Sequence, residues 1–293
     1  MPNLVLTLAE KISNLIPNSL RRGLYRLGPL TRAIRGTLNR AAPEGLTKVR
    51  VAAGPLKGSD FHLDLQFEKD LWLGTYETPL LNLLPSLISP GAIVYDVGAN
   101  LGYLTVAFGR LVGAEGSVHA FEPLPANVKR LQRSIKDNDL DERVMVVEAA
   151  VADKSGKATF LVHRSGGMGK LEGSWGRQAR YPQRIETKVL ALDQYIEQGE
   201  HVPPQWVKVD VEGGEGAVLR GAGDLLRAAR PSWLIEIHGP EAAADVWEQL
   251  EAADYLLYSV ARPGHRVASL AELDWKAYLM ALPQESQGIG RDG

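Results

Sequence analysis

The stretch VYDVGANLGYLTVAFGRL, Val94 to Leu111, decides the fold. An apolar run closes on Asp96, a glycine-containing turn follows, and from Leu101 the apolar residues recur at helical steps. Strand, tight turn and helix are the first half of a βαβ unit, and the turn brings backbone N–H groups close to a ligand. A dinucleotide fingerprint reads G-x-G-x-x-G, its middle glycine letting the backbone approach a pyrophosphate. Here GANLG (98–102) sets Asn100 at that middle place between Gly98 and Gly102. The Asn100 side chain would crowd a pyrophosphate, yet it can hydrogen-bond a smaller polar ligand. No GK[ST] follows, so the turn is not a phosphate-binding P-loop either.

Outward from this unit the chain alternates. SVHAFEP, RVMVVEAAV, WVKVDVEG, SWLIEIHG and DYLLYSV read as strands. LGYLTVAFGRLVG, PANVKRLQRSIKDND, EGAVLRGAGDLLRAA and EAAADVWEQLEAA read as helices. KATFLVHR and RIETKVLAL form a hairpin. This rhythm predicts an α/β fold with a doubly wound, mostly parallel sheet, whose ligands sit beyond the strands' C-terminal ends at the switch point. Before it come amphipathic helices over residues 4–40 and a strand pair over 46–65 turned at AAGPLKGSD. The expected domains are thus an N-terminal basic helical and β appendage over 1–69, a catalytic domain over 70–280 and a frayed tail over 281–293. A glycine-rich insertion over 164–184 interrupts the catalytic domain; it holds Trp175 and Tyr181 and reads as a surface loop or as a lid.

Composition narrows the function classes. The 293 residues are 45% hydrophobic and 23% charged, an ordinary globular balance. No cysteine occurs, which excludes disulfides, thiolate zinc sites and a cysteine nucleophile. No run approaches the roughly 18 apolar residues of a membrane span, and no basic region precedes the first apolar stretch, so neither a span nor a secretory signal is expected. Residues 1–50 carry nine Lys/Arg against two Glu, a local +7 that leaves −9 for the rest of a chain whose total is −2. An acidic body argues against nucleic acid as partner. The basic arm over residues 1–40 suits contact with an anionic membrane surface or a dimer contact, in a protein expected in the cytoplasm.

Glu122 ends the strand after the glycine turn, with Pro123 closing that strand. A carboxylate there accepts both hydrogens of a ribose diol. A ribose without a pyrophosphate points to S-adenosylmethionine, with Gly98 and Gly102 lining its methionine portion and Asp96 offering a carboxylate to its ammonium. Glu148 and Ala150, ending the third strand, fall where adenine lies in such folds. The segments WLGTYE (72–77), DVGANLGYLT (96–105), AFEPLPAN (120–127), KVDVEGGE (208–215) and RPSWLIEIH (230–238) together resemble the FkbM family of S-adenosylmethionine-dependent methyltransferases, over roughly residues 70–260. The resemblance implies the class I methyltransferase (Rossmann-like) fold and methylation of hydroxyls on sugars, polyketides or glycolipids. It also implies that Tyr76 and Glu77 fold over the cofactor. Gly214 departs from the family pattern, which has a larger residue there.

Two predicted central strands carry charges that a doubly buried strand does not tolerate unpaired. Lys208, Asp210 and Glu212 share one face of WVKVDVEG, and Glu236 and His238 share one face of SWLIEIHG. These five are the candidate catalytic residues. His238 is the first choice as base because an imidazole titrates near neutral pH. Asp210, also a cofactor candidate, is the second; Glu236 orients the imidazole or binds a substrate hydroxyl, and Lys208 neutralises a carboxylate. A Mg²⁺ held by the same carboxylates is the alternative activator, but no HxH or DxDxD motif is present and no metal ligand is assigned. The sequence therefore predicts O-methyl transfer to a small-molecule, glycan or glycolipid hydroxyl, by a chain able to form a homo-oligomer. An NAD-dependent sugar oxidoreductase and a non-catalytic adenosyl-ligand binding module are the competing readings.

Overall fold

The computed structural model describes residues 44–163, 168–176, 179–273 and 278–284. The helices expected over 4–40, the end of the tail at 285–293 and two pieces of the glycine-rich insertion, 164–167 and 177–178, lie outside the described residues. The chain divides between Asn82 and Leu83 into two compact units.

In the first unit, β1 (Leu46–Arg50) and β2 (Asp60–Asp64) pair antiparallel, with Leu46 opposite Asp64 and Arg50 opposite Asp60. The alternation read from the sequence turns Phe61 and Leu63 inward, where both are fully buried. The short helix α1 (Lys69–Trp72) stays with this hairpin: Lys69 Nζ donates to the carbonyls of Leu65 and Gln66, and the Ala52 amide donates to Trp72. Those bonds keep residues 69–72 with the hairpin, and the division falls after Asn82 where the sequence pattern sets it after residue 69. Tyr76 and Glu77 follow α1 within this unit, and α2 (Thr78–Leu87) runs across the division.

The second unit opens with β3 (Ile93–Val97), α3 (Tyr103–Leu111), β4 (Ser117–Phe121), α4 (Pro125–Asp137) and β5 (Val144–Val147). The run RVMVVEAAV is not one strand. It breaks at Glu148-Ala149, and β6 (Ala150–Val151) pairs instead with a second sheet containing β7 (Gly156–Val162), β8 (Gly169–Leu171) and β9 (Gln183–Leu190), in the order β6-β9-β7-β8. Part of the supposed loop insertion is therefore a strand, because Gly169–Leu171 pairs with the end of β7. Next come α5 (Leu192–Gly199), unforeseen, then β10 (Trp206–Val209) and α6 (Glu215–Arg220). The helix expected from EGAVLRGAGDLLRAA stops at Arg220, and Gly221 after it packs so close to the Ala152 carbonyl that a Cβ would collide; Leu225–Ala229 resumes as a π turn.

The chain finishes with β11 (Ser232–Glu236), α7 (Pro240–Ala252), β12 (Tyr255–Ser259) and β13 (Tyr278–Pro283). β12 is not the last strand: β13 inserts antiparallel between β11 and β12, so residues 281–283 belong to the sheet and not to a tail. The large sheet runs β12-β13-β11-β10-β3-β4-β5, parallel apart from β13. From β3 the chain winds outward to β5, then returns to lay β10 on the other side of β3. Right-handed crossovers make that reversal the switch point, and the crevice opens beyond Val97 and Val209.

Candidate active site

The glycine turn is shaped first by its neighbours. At Gly98 φ is +78°, and a Cβ would run into the Asp210 carbonyl where the turn meets the end of β10. At Gly102 φ is +91°, and a Cβ would sit 2.7 Å from Leu131 of α4. Asn100 takes a left-handed φ of +53°, which asparagine tolerates better than most residues, and it is exposed. Its backbone N–H donates to Glu122 Oε2 at 2.9 Å, while Glu122 Oε1 accepts from the Leu124 N–H at 2.9 Å and from Asn127 Nδ2 at 3.3 Å. Glu122 is 5% exposed, and burial pushes its carboxyl up to about 7 against the opposing pull of these bonds and of Lys208.

A carboxylate offers about four acceptor positions, so Oε2, with one backbone donor, keeps capacity for a further hydroxyl. This donor set fits the ribose of S-adenosylmethionine, with Asn100 at the turn. Pro123 follows Glu122 and presents its carbonyl to Thr187 Oγ1 at 3.5 Å. Glu148 is exposed just past β5, whereas Ala150 is buried in the small sheet beside Ala152 and Val189. Of the two candidates for the adenine region, only Glu148 has a side chain outside that core.

Asp96 and Lys208 lie opposite each other in the parallel register of β3 and β10. Both are buried, with Lys208 Nζ 3.1 Å from Asp96 Oδ1, while Asp96 Oδ2 accepts from Thr105 Oγ1 at 2.6 Å. Lys208 Nζ also donates to the Gly98 carbonyl at 2.9 Å and stands 3.8 Å from Asp210 Oδ2. Burial alone would lower the Lys208 pKa; the charges of Asp96 and Asp210 outweigh it and raise it. Asp96 is thus engaged in this internal pair, and Lys208 holds the turn through the Gly98 carbonyl.

Beyond these strand ends His238 collects the acidic side chains. Its Nε2 lies 3.7 Å from Asp210 Oδ1, 3.8 Å from Glu236 Oε1 and 3.9 Å from Glu212 Oε2. Its Nδ1 is 2.8 Å from Glu215 Oε1, and Glu215 is fully buried. Glu215 was not singled out from the sequence, although it closes the quoted KVDVEGGE segment; a carboxylate in a helix's first turn was its local signal. Tyr278 of β13 donates to Asp210 Oδ2 at 3.4 Å and had no such signal.

Burial alone would lower the His238 imidazole. The Glu215 bond and the charges of Asp210, Glu215 and Glu212 together raise it to about 9. The surrounding carboxylates thus favour the protonated imidazole, which donates hydrogen bonds and does not accept a proton. The ligand atoms of Asp210, Glu236 and His238 lie within 4.8 Å of one another, close enough for one divalent ion. Such an ion would replace the Nε2 proton.

The fold and the two halves of this crevice define a Rossmann-like methyltransferase. The Methyltransferase FkbM domain matches residues 96–257, more than half of the chain, and the chain belongs to that family. Its methyl donor is S-adenosylmethionine. The chain is 27% identical to the hexuronic acid methyltransferase AglP of Haloferax volcanii over 181 residues, 60% of this chain and 69% of that protein. It is 28% identical to the 31-O-demethyl-FK506 methyltransferase FkbM of Streptomyces tacrolimicus, over 53% of this chain and 69% of that one. Among solved structures, methyltransferase FkbM from Methylobacillus flagellatus KT is similar with a TM-score of 0.45 at 17% identity, covering 74% of this chain and 53% of the other.

Proposed function

We propose that the protein transfers a methyl group to a hydroxyl of a sugar, glycolipid or secondary metabolite. The observation that carries this reading is the ring of Asp210, Glu212 and Glu236 around His238 Nε2, at 3.7 to 3.9 Å. Carboxylates accept hydrogen bonds from hydroxyls and orient them. Such a ring would hold an amine as its non-nucleophilic ammonium. The relative named for a hexuronic acid supports a sugar as acceptor, and the one named for a 31-O-demethyl compound supports oxygen as the methylated atom.

Bound S-adenosylmethionine supplies an electrophilic methyl on a sulfonium. The chain's residues do the rest. Asn100 and Glu122 hold the nucleoside end, and Lys208 fixes the turn through the Gly98 carbonyl. The acceptor oxygen loses its proton to a carboxylate of the ring as the new bond forms, and Asp210, braced by Tyr278, is our choice for that acceptor. His238, held by Glu215, keeps a compensating positive charge among the acids. The test is incubation with methyl-labelled donor and a panel of alcohol, amine and carboxylic acid acceptors. Label should enter the alcohols; label confined to amines or to carboxylic acids would end the reading.

A further inference from the structure

Trp175 is a large aromatic left 55% exposed beside this crevice. Its segment is not loose. A turn at Gly173, φ +89°, is closed by the Ser174 amide donating to the Leu171 carbonyl at 3.1 Å. The buried Lys170 ammonium donates to the Ser174 carbonyl at 3.2 Å and the Trp175 carbonyl at 2.9 Å, with the Tyr181 ring 5.6 Å away. Backbone meets backbone next: a Cβ on Gly176 would lie 2.6 Å from the Glu212 carbonyl, and one on Gly213 would overlap the Trp175 carbonyl. A Cβ on Gly239, the residue after His238, would be 3.9 Å from Gly176. A buried lysine and close backbone packing at Gly176 and Gly213 thus hold the Trp175 main chain against the turn that follows Glu212.

Trp175 also lines a cavity of about 400 Å³ between the small sheet and the Gly213-Gly214 turn. That volume lies within the range of small-molecule sites. The ionic side chains on its wall balance: Asp153, Glu172 and Asp245 against Lys154, Lys157 and Arg220. Arg220 grips Asp245 at 2.7 Å and Lys157 grips Glu186 at 2.7 Å. Such a wall has no excess charge to select a phosphate or an ammonium, but it offers many fixed donors and acceptors. An indole face with paired polar groups around it suits a neutral pyranose, whose C–H face packs on the ring while its hydroxyls meet the wall.

We propose that this cavity is a carbohydrate subsite for the acceptor, with Trp175 as its stacking platform. The inference rests on the hydroxyl reading above, deepens it to neutral glycosides, and can fail separately from it. An array of neutral hexose, deoxyhexose and N-acetylhexosamine glycosides, probed with the full chain and methyl-labelled donor, gives two readouts: protein retained and label transferred. Wild type should be retained, Trp175→Ala should lose about tenfold in retention and Trp175→Phe should keep most of it, with binding of S-adenosylhomocysteine unchanged in both. Equal retention of wild type and Trp175→Ala, or no retention of wild type by any glycoside, overturns the subsite. Retention that depends on Trp175 without label transfer keeps the subsite and removes the hydroxyl reading. Equal label transfer by wild type and Trp175→Ala does the reverse.

Discussion

Glu122 keeps its carboxylate among backbone donors at a cost set by burial, and that cost makes cofactor affinity pH-dependent. The carboxyl titrates at about 7 rather than near 4.5. A ribose diol donates to the anion, so binding expels the proton. Affinity for S-adenosylhomocysteine should rise as pH climbs from 5.5 through about 7 and level off above it, while Glu122→Gln should show a flatter and weaker profile. Calorimetry across that range checks this. His238 carries the opposite sign. Its pKa is raised from 6.5 to about 9, so its contribution to stability is complete below 6.5 and is lost as pH rises through about 9. Glu215→Gln should move that loss to lower pH in thermal melts. With a carboxylate as proton acceptor, His238→Gln slows turnover and spares cofactor binding, and exhaustive chelation leaves wild-type turnover intact. Loss of turnover on chelation, restored by a divalent ion, would put a metal among Asp210, Glu236 and His238.

At the scale of elements, the crevice depends on two parallel strands whose charges meet in register. Removing one partner of a buried ion pair strands the other, typically at about 3–5 kcal/mol. Lys208→Met should therefore unfold at markedly lower denaturant concentration, and adding Asp96→Asn should recover part of the loss, because the pair is buried on both sides. If Lys208→Met melts like wild type, the pair is not what holds the turn. The alternation in WVKVDVEG made this pair partly legible: it showed that Lys208 must neutralise a carboxylate, but not that the carboxylate is Asp96 of the neighbouring strand. Strand–turn–helix units read clearly because their signals are local. Other elements did not. β8 is three residues whose strand character comes from pairing with Phe160–Val162. α5 is a two-turn helix whose only fully buried residue is Leu192. β13 earns its place between β11 and β12 by long-range pairing, which no window of sequence displays. Tyr278, which braces Asp210, was hidden for the same reason.

Across the whole molecule, charge is the property the sequence displays most plainly and the fold leaves untouched. The first fifty residues hold +7 and the remainder −9. We propose that this basic segment is drawn to anionic surfaces, an attraction with a screening length of about 8 Å at physiological salt. No described helix is long and apolar enough to cross a membrane. At about 1 kcal/mol per basic residue near an anionic bilayer, several arginines of the arm suffice for reversible binding at low salt. The full chain should therefore co-sediment with vesicles containing phosphatidylserine, release as salt is raised, and ignore purely zwitterionic vesicles. A chain lacking residues 1–40 should stay in the supernatant while its methyl transfer to a soluble glycoside is unchanged. Equal pelleting with and without those residues would assign the attraction to another surface, and pelleting indifferent to salt would show that it is not electrostatic.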